Sequence, residues 1–143
     1  MILLGSANAL RAFEAGRTAL LAGAPALDVV ERVIREVEDD PDDHTVGYGG
    51  FPNILGEVEL DASLMEGATR RAGAVAALRG FRYPISVARE VMDRLPHVLL
   101  VGDGAARFAD ECADAGRSAQ PPEPPRQLEL RGGVSRRPVF PAR

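Results

Sequence analysis

An α/β or α+β layered domain is the fold class that this sequence predicts, on three observations. Short apolar runs at 2–4, 72–78 and 97–101 alternate with stretches of helical period, the pattern of strands and helices stacked in layers. Gly23, Pro25, Pro41, Pro84 and Pro96 each fall where one such stretch gives way to the next. At 143 residues the chain suits one domain and can bury a core, and its 45% apolar content is ordinary for a globular protein. With aromatics at only 5%, that core must be built from Ala, Val, Leu and Ile.

In chain order, Ile2 to Leu4 is a short buried-strand candidate, and Gly5-Ser-Ala-Asn8 is its exit. Ala9 to Ala22 reads as a helix, with Leu10, Phe13, Arg17 and Leu20 on one stripe and Gly23 as its C-cap. Pro25 opens a second helix whose stripe is Leu27, Val30, Val33, Ile34 and Val37, stopping near Asp39 or Asp40 ahead of Pro41. Residues 38–67 are the densest in special residues. Asp39, Asp40, Asp42 and Asp43 follow the helix, then Thr45-Val-Gly-Tyr-Gly-Gly50, a Pro52-Asn-Ile-Leu-Gly56 hairpin signal and the alternating strand Glu57-Val-Glu-Leu-Asp61. Glycines at 47, 49, 50 and 56 imply positive φ or close backbone approach.

Ala72 to Leu78 is small, apolar and uncharged, as suits a strand buried on both faces. A helix is the alternative for so Ala-rich a run, and the strand reading leans on the resemblance given below. Pro84 opens a clearer helix, with Ile85, Ala88, Val91, Met92 and Leu95 inward and Arg89, Glu90 and Arg94 outward, ended by Pro96. His97 to Val101 is the strongest buried-strand signal in the chain. Gly102-Asp-Gly104 turns it into a last helix from Ala105 to about Ala115, with Phe108, Ala109 and Cys112 inward. The character changes near Arg117, dividing the chain into a folded portion 1–117 and a tail 118–143. That tail carries five arginines against two acids, a local charge of +3, and no period survives in it. It is expected to be disordered or loosely attached. A proline-rich ligand around Pro121-Pro-Glu-Pro124, a linker, and the product of a shifted reading frame in GC-rich DNA are three readings of it.

Charge and composition exclude several classes. A net charge of −4 argues against nucleic acid or an anionic membrane as partner. Met1-Ile-Leu-Leu lacks the basic and long apolar regions of a signal peptide or membrane span. A single cysteine, Cys112, precludes an internal disulfide and fits a reducing, cytoplasmic setting. Every basic side chain is Arg, which with abundant Ala points to a GC-rich bacterial genome.

No local run supplies a hydrolase nucleophile. Gly-x-Ser-x-Gly is absent, and His44 and His97 lack metal-ligand spacing. His97 reads as structural, His44 as solvated, and Cys112 as core. The four aspartates have no EF-hand spacing; a Ca²⁺ site and a solvated acidic turn paired with Arg70 or Arg71 are the two readings, and the second is preferred. Leu99-Leu-Val-Gly-Asp-Gly104 imitates the start of a dinucleotide fingerprint, but Arg107 stands where the third glycine belongs. No cofactor and no metal are expected.

Val37-Glu-Asp-Asp-Pro41, Thr45-Val-Gly-Tyr-Gly-Gly50, Pro52-Asn53, Val58-Glu-Leu-Asp-Ala62 and Met65-Glu-Gly67 together resemble the glycosylasparaginase and isoaspartyl peptidase/asparaginase family. Ala72 to Leu78, Pro84 to Arg89, Val91-Met92 and His97 to Gly102 continue the match in order, so that it covers about residues 2 to 112. The resemblance implies an N-terminal nucleophile hydrolase, α+β in class, with an αββα four-layer sandwich. In that family a precursor cuts itself into α and β chains, and the threonine exposed at the start of β attacks the amide carbonyl with its own amine as base. The match is to the α part alone, so the chain would be one half of the sandwich, and a family β chain is the expected partner, in an αβ heterodimer or larger assembly. The substrate would be a small side-chain amide: asparagine, an isoaspartyl dipeptide or an N4-substituted asparagine.

Two sets of positions carry over from the family. Thr45 matches a hydroxyl residue beside the scissile bond and nucleophile; a turn-capping role for it is the alternative. Ser6 stands where glycosylasparaginases place a substrate-pocket tryptophan, and the chain has no Trp, so Ser6-Ala-Asn8 resembles the small polar entry of bacterial relatives, with Ser6 and Asn8 as substrate-binding candidates. Asp61 reads as a structural hydrogen-bond acceptor. The competing functional reading is a catalytically inactive truncated or frameshifted fragment, or a non-enzymatic interaction module retaining the same half-fold. In either case half a sandwich leaves apolar sheet surface exposed, and the isolated chain is expected to be poorly soluble or to associate.

Overall fold

A computed structural model describes residues 2–114. A 3₁₀ helix, Ala7–Ala12, runs into α1 (Phe13–Leu21), followed by α2 (Ala26–Glu38), β1 (Leu60–Met65), β2 (Ala72–Leu78), α3 (Pro84–Arg94), β3 (Leu99–Val101) and α4 (Gly102–Asp114). The three strands form one sheet in the order β1-β2-β3, antiparallel between β1 and β2 and parallel between β2 and β3. Parallel pairing needs a crossover, and α3 supplies it. The fold is therefore α+β with a small mixed sheet.

The main core lies between one face of the sheet and α3 with α4. Leu64, Val75 and Leu78 point from the strands onto Ile85, Ala88, Val91 and Met92, and Ala105, Phe108, Ala109 and Cys112 close the side. Gly73 makes this layer tight: a Cβ there would stand 2.1 Å from the Ala88 carbonyl oxygen and 2.6 Å from Met92 N. A second cluster joins Ala12 to Val29 and Val33 where the 3₁₀ helix and the start of α1 pack on α2. Carboxylates link the two halves. Arg89 on α3 bonds Asp28 and Glu31 of α2 and its own-helix Asp93, while Ser86 Oγ donates to Glu31 at 2.6 Å.

The opposite sheet face has no helix over it among the described residues. Met65, Leu99 and Val101 are each more than half exposed there, beside the half-buried Ala74 and Ala76. β2 is a strand as expected, but it is not buried on both faces: one face packs on the helices and the other is only partly covered, because no described helix lies over it.

Several expectations need correction. Ile2 to Leu4 pairs with no strand: Leu3 packs on the small cluster while Ile2 and Leu4 are exposed. The first helix buries Ala12 and Gly16, not Leu10 and Arg17, because close contact with α2 admits only small residues; a Cβ on Gly16 would lie 2.7 Å from Val33 Cγ2. On α2, Val29 is buried and Val30 turns outward. β1 begins at Leu60 rather than Glu57, although Leu60, Ala62 and Leu64 keep the inward alternation. The strand at 97–101 shortens to Leu99–Val101 at the sheet edge, leaving His97 and Val98 exposed. α4 starts at Gly102, not Ala105. Arg94 does not simply point out: it lies over the Phe108 ring and donates to Cys112 Sγ at 3.1 Å. The tail at 118–143 lies outside the described residues.

Candidate functional site

The site forms where the segment from the end of α2 to β1 meets the N-terminal 3₁₀ helix. Its frame is the turn at 39–51. Asp39 pairs with Arg82 and Asp40 with Arg11, so the expected partners Arg70 and Arg71 are not the ones used; Arg71 bonds Glu66 and Asp93 instead. His44 is not simply solvated. Its Nδ1–H donates to the Gly49 carbonyl at 2.8 Å, its own carbonyl accepts from Phe51 N at 3.1 Å, and its ring lies against Phe51. Gly47 sits at φ +69° on the backbone of Glu38, where a Cβ would be 2.1 Å from the Glu38 carbonyl oxygen. No other residue meets both conditions there.

This frame holds a continuous line of side-chain hydrogen bonds. Ser6 Oγ donates to Asn8 Oδ1 at 2.5 Å, Asn8 Nδ2 donates to Thr45 Oγ1 at 3.3 Å, and Thr45 Oγ1 donates to Asp43 Oδ1 at 2.5 Å. The same Asp43 oxygen accepts the Thr45 backbone N–H at 2.8 Å. The structure therefore brings together Ser6, Asn8 and Thr45, which are 37 residues apart in sequence at the Asn8–Thr45 bond. It adds Asp43. Sequence reasoning counted Asp43 among four aspartates, but the Asp-x-Thr spacing was the available signal, since an Asx side chain two residues ahead of a hydroxyl can bond both its N–H and its O–H.

Ser6, Asn8 and Thr45 line a cleft of about 390 Å³ between the 3₁₀ helix, α2 and β1, with Glu38, Asp61 and Ser63 on its walls. Asp61 behaves as expected: its Oδ1 accepts the Ala77 N–H at 2.8 Å, across the bulge between Leu60 and Ala62 where Ala77 has φ +49°. Glu38 was not singled out from sequence. It is 3% exposed, and its Oε1 accepts Ile85 N–H at 3.1 Å at the start of α3 while its Oε2 has no partner.

Electrostatics separates the two acids. Burial pushes the Glu38 carboxyl up to about 8, against the opposing pull of the Ile85 N–H and the Arg35 charge. The Thr45 hydroxyl, then the Thr45 N–H, holds Asp43 below the usual carboxylate range. At neutral pH Asp43 is an anion and a weak base, and Glu38 is largely protonated. Among the described residues no group of three or more His, Cys, Asp or Glu is arranged to hold a metal ion. None of the described helices is long and apolar enough to cross a membrane.

Comparison with known proteins gives one answer. A family model described as asparaginase matches residues 6–118. The chain is 52% identical over 90 residues to an N(4)-(beta-N-acetylglucosaminyl)-L-asparaginase of Elizabethkingia miricola, covering 63% of this chain and 26% of the relative. It is 48% identical over 105 residues to a plant-type L-asparaginase of Pyrococcus abyssi, covering 69% and 34%. It is 49% identical over 100 residues to an isoaspartyl peptidase/L-asparaginase of Bos taurus, covering 70% and 32%. The chain spans about a quarter to a third of the length of these curated relatives. With more than half of its residues matched by the family model, the chain belongs to the asparaginase family.

Proposed function

We propose that this chain is the α part of an amidohydrolase that cleaves the side-chain amide of asparagine, an isoaspartyl dipeptide or an N4-substituted asparagine. The attacking threonine would come from a β part. The observation that carries this reading is the hydrogen-bonded line Ser6-Asn8-Thr45-Asp43 at the cleft. It orients polar groups but activates none of them. A hydroxyl becomes a useful nucleophile when a base of suitable pKa takes its proton. Thr45 instead donates to a carboxylate whose affinity for a proton is lowered, so Thr45 is suited to hold a neighbouring group and not to attack. Ser6 and Asn8, which line the same cleft, would meet the polar end of the substrate.

The uncovered sheet face supports the second half of the proposal. Met65, Leu99 and Val101 offer an apolar surface to a second sheet, which would complete an αββα sandwich and cover the cleft. Two measurements test the function. Ammonia and aspartate release from asparagine, a β-aspartyl dipeptide and an N4-substituted asparagine should be nil for the 143-residue chain alone. Turnover should appear on co-expression with a family β portion that begins at threonine. Robust turnover by the lone chain would overturn the proposal, as would no turnover from a co-purifying pair.

A further inference from the structure

A threonine hydroxyl has one hydrogen to donate and two lone pairs to accept with. At Thr45 the hydrogen is committed to Asp43 Oδ1, and one lone pair takes the Asn8 Nδ2–H. The same carboxylate oxygen grips the Thr45 main-chain N–H, so the side chain and backbone of one residue are tied to one atom and χ1 is fixed. A single lone pair is left over. Whatever group meets Thr45 in the cleft must bring its own hydrogen.

We propose that Asp43 is a positioning residue of this site, whose carboxylate makes the Thr45 hydroxyl an acceptor-only contact and so admits an amine or hydroxyl beside it, but not a carbonyl or carboxylate. The inference rests on the proposed function only for the identity of that donor, the amine or hydroxyl of the attacking threonine. The orientation itself belongs to this chain. Asp43 is suited to the task because it is ionised at neutral pH and thus cannot donate back to Thr45. Asp40, Asp42 and His44 share its turn, and Arg11 from the 3₁₀ helix is taken up by Asp40. Arg82, the other arginine that reaches this turn, is likewise paired, with Asp39.

The test reads the Thr45 side chain directly. In the isotope-labelled 143-residue chain in dilute solution, three-bond couplings to the Thr45 methyl carbon should report one χ1 rotamer at neutral pH. As pH falls, they should average together with Asp43 protonation, at a midpoint below that of an ordinary aspartate. Asp43→Asn should show averaged couplings already at neutral pH, with the methyl shifts of Val75 and Leu78 unchanged to certify the fold. A single rotamer in Asp43→Asn, or a wild-type Thr45 indifferent to Asp43 titration, overturns the proposal. Should the variant not fold, the wild-type titration decides alone. In a chain made active by a β portion, Asp43→Asn should lower kcat about tenfold or more with KM little changed. Undiminished kcat there would sink the role of Asp43 while leaving the amidohydrolase reading intact. No turnover even with Asp43 present would sink that reading and leave the rotamer result to judge Asp43.

Discussion

Replacing Glu38 by Gln should stabilise the protein at neutral and alkaline pH while leaving it nearly unchanged near pH 5. The carboxyl is 3% exposed, accepts one hydrogen bond from Ile85 N, and has a second oxygen without a partner. Burial raises it from 4.5 to about 8. A carboxyl raised on folding keeps its proton in the native state while the unfolded chain has lost it. Stability attributable to Glu38 is therefore whole below pH 4.5, declines as pH rises through the interval, and is fully lost above pH 8. At 1.36 kcal/mol per pH unit, the loss is roughly 3 kcal/mol at pH 7 and approaches roughly 5 kcal/mol above pH 8. Glutamine keeps an oxygen for the Ile85 N–H and carries no charge, so its stability should not follow this decline. Urea unfolding at half-unit steps from pH 5 to 9, on wild type and Glu38→Gln in parallel, isolates the difference, since every other titrating group is common to both. Two curves of the same slope across that range would refute the reasoning.

Gly73→Ala should cost about 3 kcal/mol or more, because the added Cβ meets the backbone of α3 rather than a movable side chain; thermal melting should show the loss. Val101→Lys, on the uncovered face at the sheet edge, should reduce self-association of the isolated chain in sedimentation experiments at little cost to its melting temperature. If the substitution instead unfolds the chain, that face is internal to the isolated fold.

What the sequence made legible was whatever depends on local period or on a single backbone requirement. The inward faces of α3 and α4 follow from spacing, and Ile85, Ala88, Met92, Phe108 and Cys112 are buried as their positions imply. Gly47 and Gly56 have the positive φ that their turns suggest. The errors share another cause: they concern which neighbour an element finds. Hydrophobicity favours Leu10 over Gly16 as a buried residue, but the short distance between α1 and α2 favours Gly16. His97 to Val101 has the composition of a central strand and occupies an edge, where Leu99 and Val101 stay exposed. Composition reports what a strand could bury, not what is present to bury it.

The wiring of the candidate site was not legible in the sequence. Ser6, Asn8 and Thr45 came from resemblance, and no rule of spacing predicts that Asn8 reaches Thr45. Glu38 was hidden at the end of a helix followed by four aspartates, where a fifth acid looks like one more solvated charge. In the fold Gly47 packs onto its backbone, the Ile85 N–H meets its carboxyl, and the side chain is out of water.

The sheet has the property that each strand pairs with the one that follows it in the chain, β1 with β2 and β2 with β3. None of the three described strands must wait for a distant segment before it finds its first hydrogen bonds. A polypeptide emerging from the ribosome can therefore build this layer stepwise, hairpin first and crossover second, and keep the loop-closure cost of each step small. The apolar side is then already in place as a template when any later strand arrives.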